Sequence, residues 1–352
     1  MRVINLKTNH LTEPVGIDAG ALFLSWQCAD GVRQTAYEIE LTANGETVWH
    51  SGKVQSTAMH ADATTVGGSR VRGCWRVRLW DENDTSGAWS AAHFETGLAQ
   101  SDWQGKWVDP ETEEIDIPGD DAINAFARPN WESKQAEKEA AGKGTAEPYK
   151  PHRPASYLRK SFTASRGDAR LYITAKGLYA AWLNGKRIGD MVLAPGSFTG
   201  DKHLAAQTYD VTEYLRDGEN KLLVALGDGW HRSTGGVDGD RDLFGDTLGV
   251  LFQLEVDGQA VCVSDNTMQA TQCGAIRQND MQQGEVYDAR REGELTGWHG
   301  VHTYRDDLPI TGMNTVPILE HEAFPGKLLQ TPNGETVLDF GQNIAGYVEF
   351  AL

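Results

Sequence analysis

The stretch that decides the fold lies between Tyr157 and Gly236. It reads YLRKSF (157–162), LYITAKGLYAAWLNGKRIGD (171–190), LAPGSFTGDKHLAAQTYDVTEYL (193–215) and GENKLLVALGDGW (218–230). Each piece alternates apolar with polar residues and closes on Gly, Asn, Asp or Pro, which is the pattern of short strands joined by tight turns. The chain is therefore predicted to be mostly β, with a turn-rich β-sandwich at its centre.

An earlier segment, from Leu22 to Leu98, repeats this pattern. Its pieces are LFLSW (22–26), QTAYEIELTANGETVWHSGKV (34–54) and CWRVRLWDENDTSGAWSAAHFETGL (74–98). The Asn44-Gly45 dipeptide between two alternating runs predicts a hairpin. About 95 residues with this many short strands fit a fibronectin type III or immunoglobulin-like sandwich.

The alternation stops between Pro110 and Pro154, where charged residues, Gly and Pro are mixed. We expect an insertion or extended linker there, with one exposed helix over 131–141, because Glu, Lys, Gln and Ala favour a helix but no apolar face would dock it. Strands resume at Tyr157 and suit a jelly roll of two facing antiparallel sheets.

Three domains are therefore predicted. Residues 1–99 form the fibronectin III or immunoglobulin-like sandwich, and residues 100–311 form a jelly-roll, carbohydrate-binding-like domain with the insertion at about 110–154. Residues 312–352 are expected to begin a third β-domain that is truncated, because their strands have too few partners to make a core. On this view the chain belongs to a longer polypeptide.

Composition excludes several classes of partner. The 50 acidic and 32 basic residues give a formal net charge of −18, which repels phosphate backbones and anionic membrane surfaces, so neither nucleic acid nor a membrane is an expected partner. The N-terminus has no secretory pattern, and no apolar run is long enough to span a bilayer, so a cytoplasmic location is predicted. The four cysteines show no metal spacing and are interpreted as buried small residues.

No catalytic residue can be assigned from motifs. The sequence has no nucleophile elbow, HExxH pair, phosphate-binding loop or dinucleotide fingerprint. Glycoside hydrolysis needs two carboxyl groups at a controlled separation, whereas the acidic residues here fall mostly in turns, where backbone hydrogen bonds explain them.

Two polar loops are the candidates for a binding site: GDGWHRSTGGVDGDRDLFGD (227–246) and GSFTGDKH (196–203). An aromatic plane can stack on a pyranose while carboxylates bind its hydroxyls, so these residue types suit a sugar pocket, although a solvated loop with Trp230 as a core residue explains them too. Asp201 is the candidate carboxylate of the shorter loop, and it is also the candidate ligand if Ca²⁺ assists. No cofactor is expected to be required.

The order of these motifs resembles one known family. QTAYEIEL, WRVRLWDENDTSGAWS, DWQGKWV, LYITAKGLYAAWLNGKRIGD, LVALGDGW, GEVYDARRE and DFGQNIAGYVEF follow one another as in the N-terminal, non-catalytic half of bacterial α-L-rhamnosidases of glycoside hydrolase family 78. The resemblance covers nearly the whole chain.

The resemblance implies an inverting hydrolase that removes terminal α-L-rhamnose from glycosides, with its catalytic carboxylates in a downstream (α/α)₆ barrel that this chain lacks. The chain alone is then expected to be inactive, and its partners are L-rhamnose or a rhamnosylated glycoside and the downstream catalytic domain. The carbohydrate-binding positions that would match are Asp201, Trp230 and Asp246, with Asn184 as a weaker candidate. Two alternatives stay open: a stand-alone rhamnose-binding module, and a structural scaffold without a ligand.

Overall fold

The computed structural model describes residues 1–115, 136, 139–140, 142, 153–233, 242–282 and 284–349. The predicted insertion at 110–154 and the helix predicted over 131–141 lie, apart from a few residues, outside this part of the chain. Within it the molecule is built almost wholly of β-strands, as the period-two pattern predicts.

The first unit contains two sheets that share one core. Its strands are β1 (Arg2–Thr8), β2 (Val15–Ile17), β3 (Gly20–Ala29), β4 (Ala36–Ala43), β5 (Glu46–His50), β6 (Val54–Gln55), β7 (His60–Val66), β8 (Arg72–Trp80) and β9 (Ser90–Thr96). One sheet has the strand order β1-β3-β7, and the other has the order β2-β9-β8-β4-β5 with β6 added to β4. Trp75 is fully buried between them, and its indole donates a hydrogen bond of 2.8 Å to Thr8 Oγ1 of the opposite sheet.

The hairpin predicted at Asn44-Gly45 is confirmed. Both residues have positive φ, 50° and 86°, and they join β4 to β5. Asn and Gly are the residues that tolerate this conformation at the centre of a two-residue turn.

The second unit is a larger pair of sheets. Its strands are β10 (Trp107–Asp109), β11 (Ser156–Ala164), β12 (Ala169–Lys176), β13 (Leu178–Leu183), β14 (Lys186–Arg187), β15 (Leu204–Asp210), β16 (Gly218–Gly227), β17 (Gly249–Val256), β18 (Gln259–Val263), β19 (Gln269–Thr271), β20 (Ile276–Asp280), β21 (Gly284–Tyr287), β22 (His302–Tyr304) and β23 (Ile310–Gly312). The seven-stranded sheet has the order β22-β10-β17-β12-β15-β23, with β18 added to β17. The five-stranded sheet has the order β14-β13-β16-β11-β19, while β20 and β21 form a separate hairpin.

Short helical segments connect some of these strands. An α-helical turn, α1 (Gly229–Arg232), follows β16. Within the described ranges, 3-10 turns cover Gln100–Asp102, Thr212–Tyr214 and Ala289–Arg291. No helix among the described residues has the length and apolar character needed to cross a membrane.

Strand β17 is buried along its whole length because both of its faces are covered. Phe252 and Leu254 point into the core between the two large sheets. On the opposite face Gln253 and Glu255 are also buried, and Glu255 receives two hydrogen bonds of 2.6 Å from the guanidinium of Arg70 in the first unit. The polar end of this otherwise apolar strand is therefore part of the contact between the units.

A second ion pair joins the same two units. Arg170 of β12 donates to both oxygens of Glu95 of β9, at 2.9–3.2 Å, and Glu95 is buried. The backbone also crosses the contact, since Met313 N donates to Gly16 O at 3.0 Å. Paired charges therefore satisfy the polar groups that this contact takes out of water.

The remaining strands, β24 (Lys327–Gln330) and β25 (Thr336–Asp339), form a hairpin whose side chains are all exposed. The assignment of residues 312–352 to a third domain, like the other domain limits, stays a prediction. The four cysteines are free; Cys262 is buried, but Cys273 is exposed, so interpreting all four as buried residues was wrong.

Candidate carbohydrate-binding cleft

The two loops singled out in the sequence lie against each other. The shorter loop precedes β15, and the longer one connects β16 to β17. A Cβ atom added to Gly200 of the first loop would lie 3.1 Å from the Phe244 side chain of the second. Residues 234–241 of the longer loop, including Asp238, Asp240 and Arg241, are outside the described part of the chain.

A shallow cleft opens to solvent where the loops meet, and its interior volume is about 20 Å³. It is lined by Ala175, Gly177, Pro195, Gly196, Phe198, Gly200, Leu204, Trp230, His231 and Phe244. The side chains that line it are mostly apolar or aromatic.

The predicted residues take different positions around this cleft. Trp230 of α1 is half-buried and lines it. Asp201 follows the lining residue Gly200 but is exposed, and its carboxylate is 3.1 Å from Lys202 Nζ. Asp246 is also exposed, and its carboxylate accepts a hydrogen bond of 3.1 Å from the Thr247 hydroxyl. The structure thus brings all three to one end of the sandwich, with the aromatic ring inside and the carboxylates outside.

Asn184 lies elsewhere. With Gly185 it makes the turn between β13 and β14 at positive φ, 53° and 81°. Its side chain donates to Tyr214 O at 2.9 Å and accepts from Lys221 N at 3.0 Å, so it holds neighbouring chain segments together. Strand β13 separates this turn from the cleft residue Gly177 by roughly 20 Å at ~3.3 Å per residue.

His231 was not among the candidate residues that the sequence predicted. It is 7% exposed and lines the cleft. Its Nε2 lies 3.1 Å from Thr247 O; because a carbonyl only accepts, Nε2 carries the proton and Nδ1 is an acceptor. Nδ1 is buried and has no hydrogen-bond partner among the described residues. Burial, with the positive charge of Lys176, lowers the pKa of this imidazole to about 4, so it is neutral at pH 7.

Buried ion pairs hold the base of the longer loop. Arg232 donates to Asp228 Oδ1 at 2.8 and 2.6 Å, and both side chains are nearly inaccessible to solvent. Arg153 donates to Asp242 at 2.6 Å and to Glu114 at 2.9 Å. These contacts fix both ends of the loop, so the idea of a merely solvated loop is wrong for Asp228 and Arg232.

The described residues do not fit a calcium cage at Asp201. Ca²⁺ takes about six to eight oxygen ligands, several of them carboxylates. Within the described ranges, no three His, Cys, Asp or Glu side chains come together in a metal-binding group, and Lys202 already lies beside Asp201. A calcium role at this position stays a prediction from the sequence alone.

Comparison with known families identifies two regions of the chain. Residues 3–100 match the family described as Rha78A-like, N-terminal immunoglobulin domain. Residues 165–327 match the family described as Alpha-L-rhamnosidase N-terminal domain. The two matches follow one another without overlap, in the order of the two β-units.

Relatives and solved structures agree with these matches. The chain is 33% identical over 316 residues to an α-L-rhamnosidase of Formosa agariphila, an alignment that covers 81% of this chain and 31% of that protein. It superposes on native α-L-rhamnosidase from Aspergillus terreus with a TM-score of 0.76 at 27% identity, covering 97% of this chain and 39% of that one.

A third comparison bears on the fold alone. The α-L-rhamnosidase of Streptomyces avermitilis, solved in complex with L-rhamnose, has a TM-score of 0.76 at 23% identity, covering 97% of this chain and 49% of that one. The chain thus spans between 31% and 49% of the length of these three proteins.

Proposed function

This chain belongs to the α-L-rhamnosidase family, glycoside hydrolase family 78, as part of its N-terminal region, and from that membership we propose that it is the accessory region of a hydrolase that releases terminal α-L-rhamnose from glycosides. The observation that carries the proposal is the pair of family matches in one order along two contacting β-units. The partner of this region is then the catalytic domain of the same polypeptide.

We propose no catalytic role for the described residues. Inversion at the sugar carbon requires a general acid and a base-activated water on opposite faces of the ring, supplied by two carboxyl groups roughly 6.5–9.5 Å apart. We place these groups in the (α/α)₆ barrel that the resemblance implies. The Trp230 cleft offers aromatic rings and a neutral imidazole instead, which are groups that bind a sugar without cleaving it.

An activity assay tests whether the chain lacks hydrolase activity on its own. The purified chain, incubated with an aryl α-L-rhamnoside, should release no aryl alcohol above a mock preparation from cells without the gene. Turnover that copurifies with the chain through two different columns would show that the catalytic carboxyls lie in this polypeptide.

Within this accessory role we propose that the second unit is a jelly-roll carbohydrate-binding domain and that a terminal sugar binds across the open mouth of the Trp230 cleft. An indole can stack on the apolar face of a pyranose. Asp201 and Asp246 follow the lining residues Gly200 and Phe244 closely in sequence, and their exposed carboxylates can accept hydrogen bonds from sugar hydroxyls. L-Rhamnose is the sugar that the family membership suggests.

Calorimetry with L-rhamnose tests the cleft. Trp230→Ala should weaken binding by about tenfold or more, because it removes the stacking ring, whereas Asn184→Ala should leave the affinity unchanged, because its turn lies away from the cleft. Running the titrations with CaCl₂ and with EDTA examines the predicted role of Asp201 in calcium binding. If wild type shows no binding in either buffer, the cleft proposal fails.

A cytoplasmic location remains our prediction for the parent protein. Fractionation of cells that express the full-length gene would measure it, and recovery of the protein outside the cytoplasm would contradict it.

A further inference from the structure

The outer face of the five-stranded sheet carries an ordered row of side chains. In β11, β13 and β16, alternate residues such as Leu158, Leu183 and Leu222 point into the core, so the residues between them face outward. The strand register places one outward residue from each strand side by side: Gln269, Arg159, Leu223, Trp182 and Arg187.

Each arginine of this row stacks on an indole. Arg159 lies 4.0 Å from the centroid of the Trp298 ring, and Arg187 lies 5.3 Å from that of Trp182. A guanidinium is planar, and a contact through its face with an indole leaves its in-plane N–H groups available. The two arginines are three strand spacings apart, or roughly 14 Å at ~4.8 Å per strand.

Neither arginine is paired with a carboxylate within the described residues. Arg159 donates to Gln269 Oε1 at 3.0 and 2.8 Å, and Arg187 donates to Met191 O at 3.3 Å. The outward positions of the five strands hold one acid, Glu219, which lies 3.7 Å from Lys221. This face is thus locally positive on a chain whose formal net charge is −18.

We propose that this row is a binding platform for an acidic glycan, specifically a chain of uronate-bearing sugars. A guanidinium matches the two oxygens of a carboxylate in geometry and charge, and Trp182 and Leu223 between the arginines offer an apolar surface to the ring faces of a sugar. The inference rests on the proposed function in that the glycan would be the polymer that carries the terminal rhamnose. It adds the acidic character of that polymer and a second surface, distinct from the Trp230 cleft.

Retention of the chain on immobilised polygalacturonate, compared with its fully methyl-esterified form, measures this property. The overall negative charge of the protein opposes retention, so binding to the acid form requires a local positive site. We expect binding to polygalacturonate at 50 mM NaCl, no binding to the neutral ester, and loss of binding by 500 mM NaCl, where exposed charges are screened.

Two variants of equal net charge separate the platform from a general charge effect. Arg159→Gln/Arg187→Gln should weaken binding roughly tenfold per guanidinium removed. Arg2→Gln/Arg33→Gln, which removes two exposed arginines of the first unit, should change it less than twofold. The near-ultraviolet circular dichroism of both variants checks that the fold is kept.

The platform is refuted if both variants lose affinity equally, if the methyl ester binds as well as the acid, or if dextran sulfate or DNA binds as tightly as polygalacturonate. Absence of wild-type binding to polygalacturonate refutes it as well. None of these results touches the rhamnosidase role, which is tested by the aryl rhamnoside and rhamnose assays, so the two failures are distinguishable.

Discussion

Replacing Arg70 by Met should destabilise the protein strongly, because it leaves the Glu255 carboxylate buried without its cation. Glu255 is 2% exposed, and after the change the side-chain partner that remains to it in the described part of the chain is the Gln253 amide at 2.6 Å. Removing one partner of a buried ion pair costs about 3–5 kcal/mol. Since Arg70 itself is 30% exposed, we expect the lower end of this range, about 3 kcal/mol.

Equilibrium urea denaturation followed by tryptophan fluorescence measures the effect. With a slope of about 3 kcal/mol per molar urea, a loss of about 3 kcal/mol lowers the midpoint by roughly 1 M. In Arg70→Met/Glu255→Met most of the loss should be recovered, because the uncompensated charge is gone and two apolar chains fill the space. Arg2→Met is the matched control: its pair with Asp30 is 65% and 71% exposed, so the cost should stay under about 1 kcal/mol.

The reasoning fails if Arg70→Met shifts the midpoint no more than Arg2→Met does, or if the double variant is as unstable as the single one. A split of the single transition into two would have a different meaning. It would show that the ion pair couples the two β-units and that each unit keeps its own stability.

Three further predictions concern single side chains. The pKa of His231 lies at about 4 in the folded protein and near ~6.5 in an unfolded chain. Because the unfolded state binds more protons between these two pH values, the free energy of unfolding should fall by about 3 kcal/mol as the pH drops from 6.5 to 4. His231→Gln should lose this pH dependence in urea titrations, and a variant with the same pH dependence as wild type would contradict the prediction. Cys273 is exposed, whereas burial raises the pKa of the Cys262 thiol to about 12. A thiol reagent should therefore label Cys273 in the native protein and Cys262 only after unfolding. Mass spectrometry of the labelled peptides measures this, and labelling of Cys262 but not Cys273 in the native protein would contradict the prediction. Asn184→Ala removes side-chain hydrogen bonds and a residue suited to positive φ. It should lower the free energy of unfolding in urea by about 2 kcal/mol without changing the affinity for the sugar. A weakened sugar affinity would show that Asn184 belongs to the binding site after all.

The strands were predictable because their signal is local. Alternation of side chains follows from the pleat of a strand. The turn residues Asn44-Gly45 and Asn184-Gly185 suit positive φ whatever the tertiary structure around the turn. The two candidate loops were also recognisable, since polar runs of that length between strands are visible in one dimension.

The role of a given side chain within those loops was less predictable. Trp230 was expected near a sugar and does line a cleft, but Phe198 and Phe244 complete its wall from loops about 45 residues apart in sequence. His231 adjoins Trp230 in the chain, yet nothing in the sequence distinguishes a buried histidine with an unpartnered nitrogen from a solvated one.

The sequence alone determined that this chain folds into strands and turns, where the turns lie, and that its motifs follow the order found in one family. Each of these properties depends on residues that are close together in the sequence or on their order along it. Only the tertiary structure decided that Arg70 meets Glu255, 185 positions away, that Asp201 and Asp246 face solvent, and that Arg159 and Trp182 share one row. These contacts depend on the order of the strands and on how the sheets pack. The sequence pattern cannot specify them, because the local period of two is the same for every order in which the strands could be arranged.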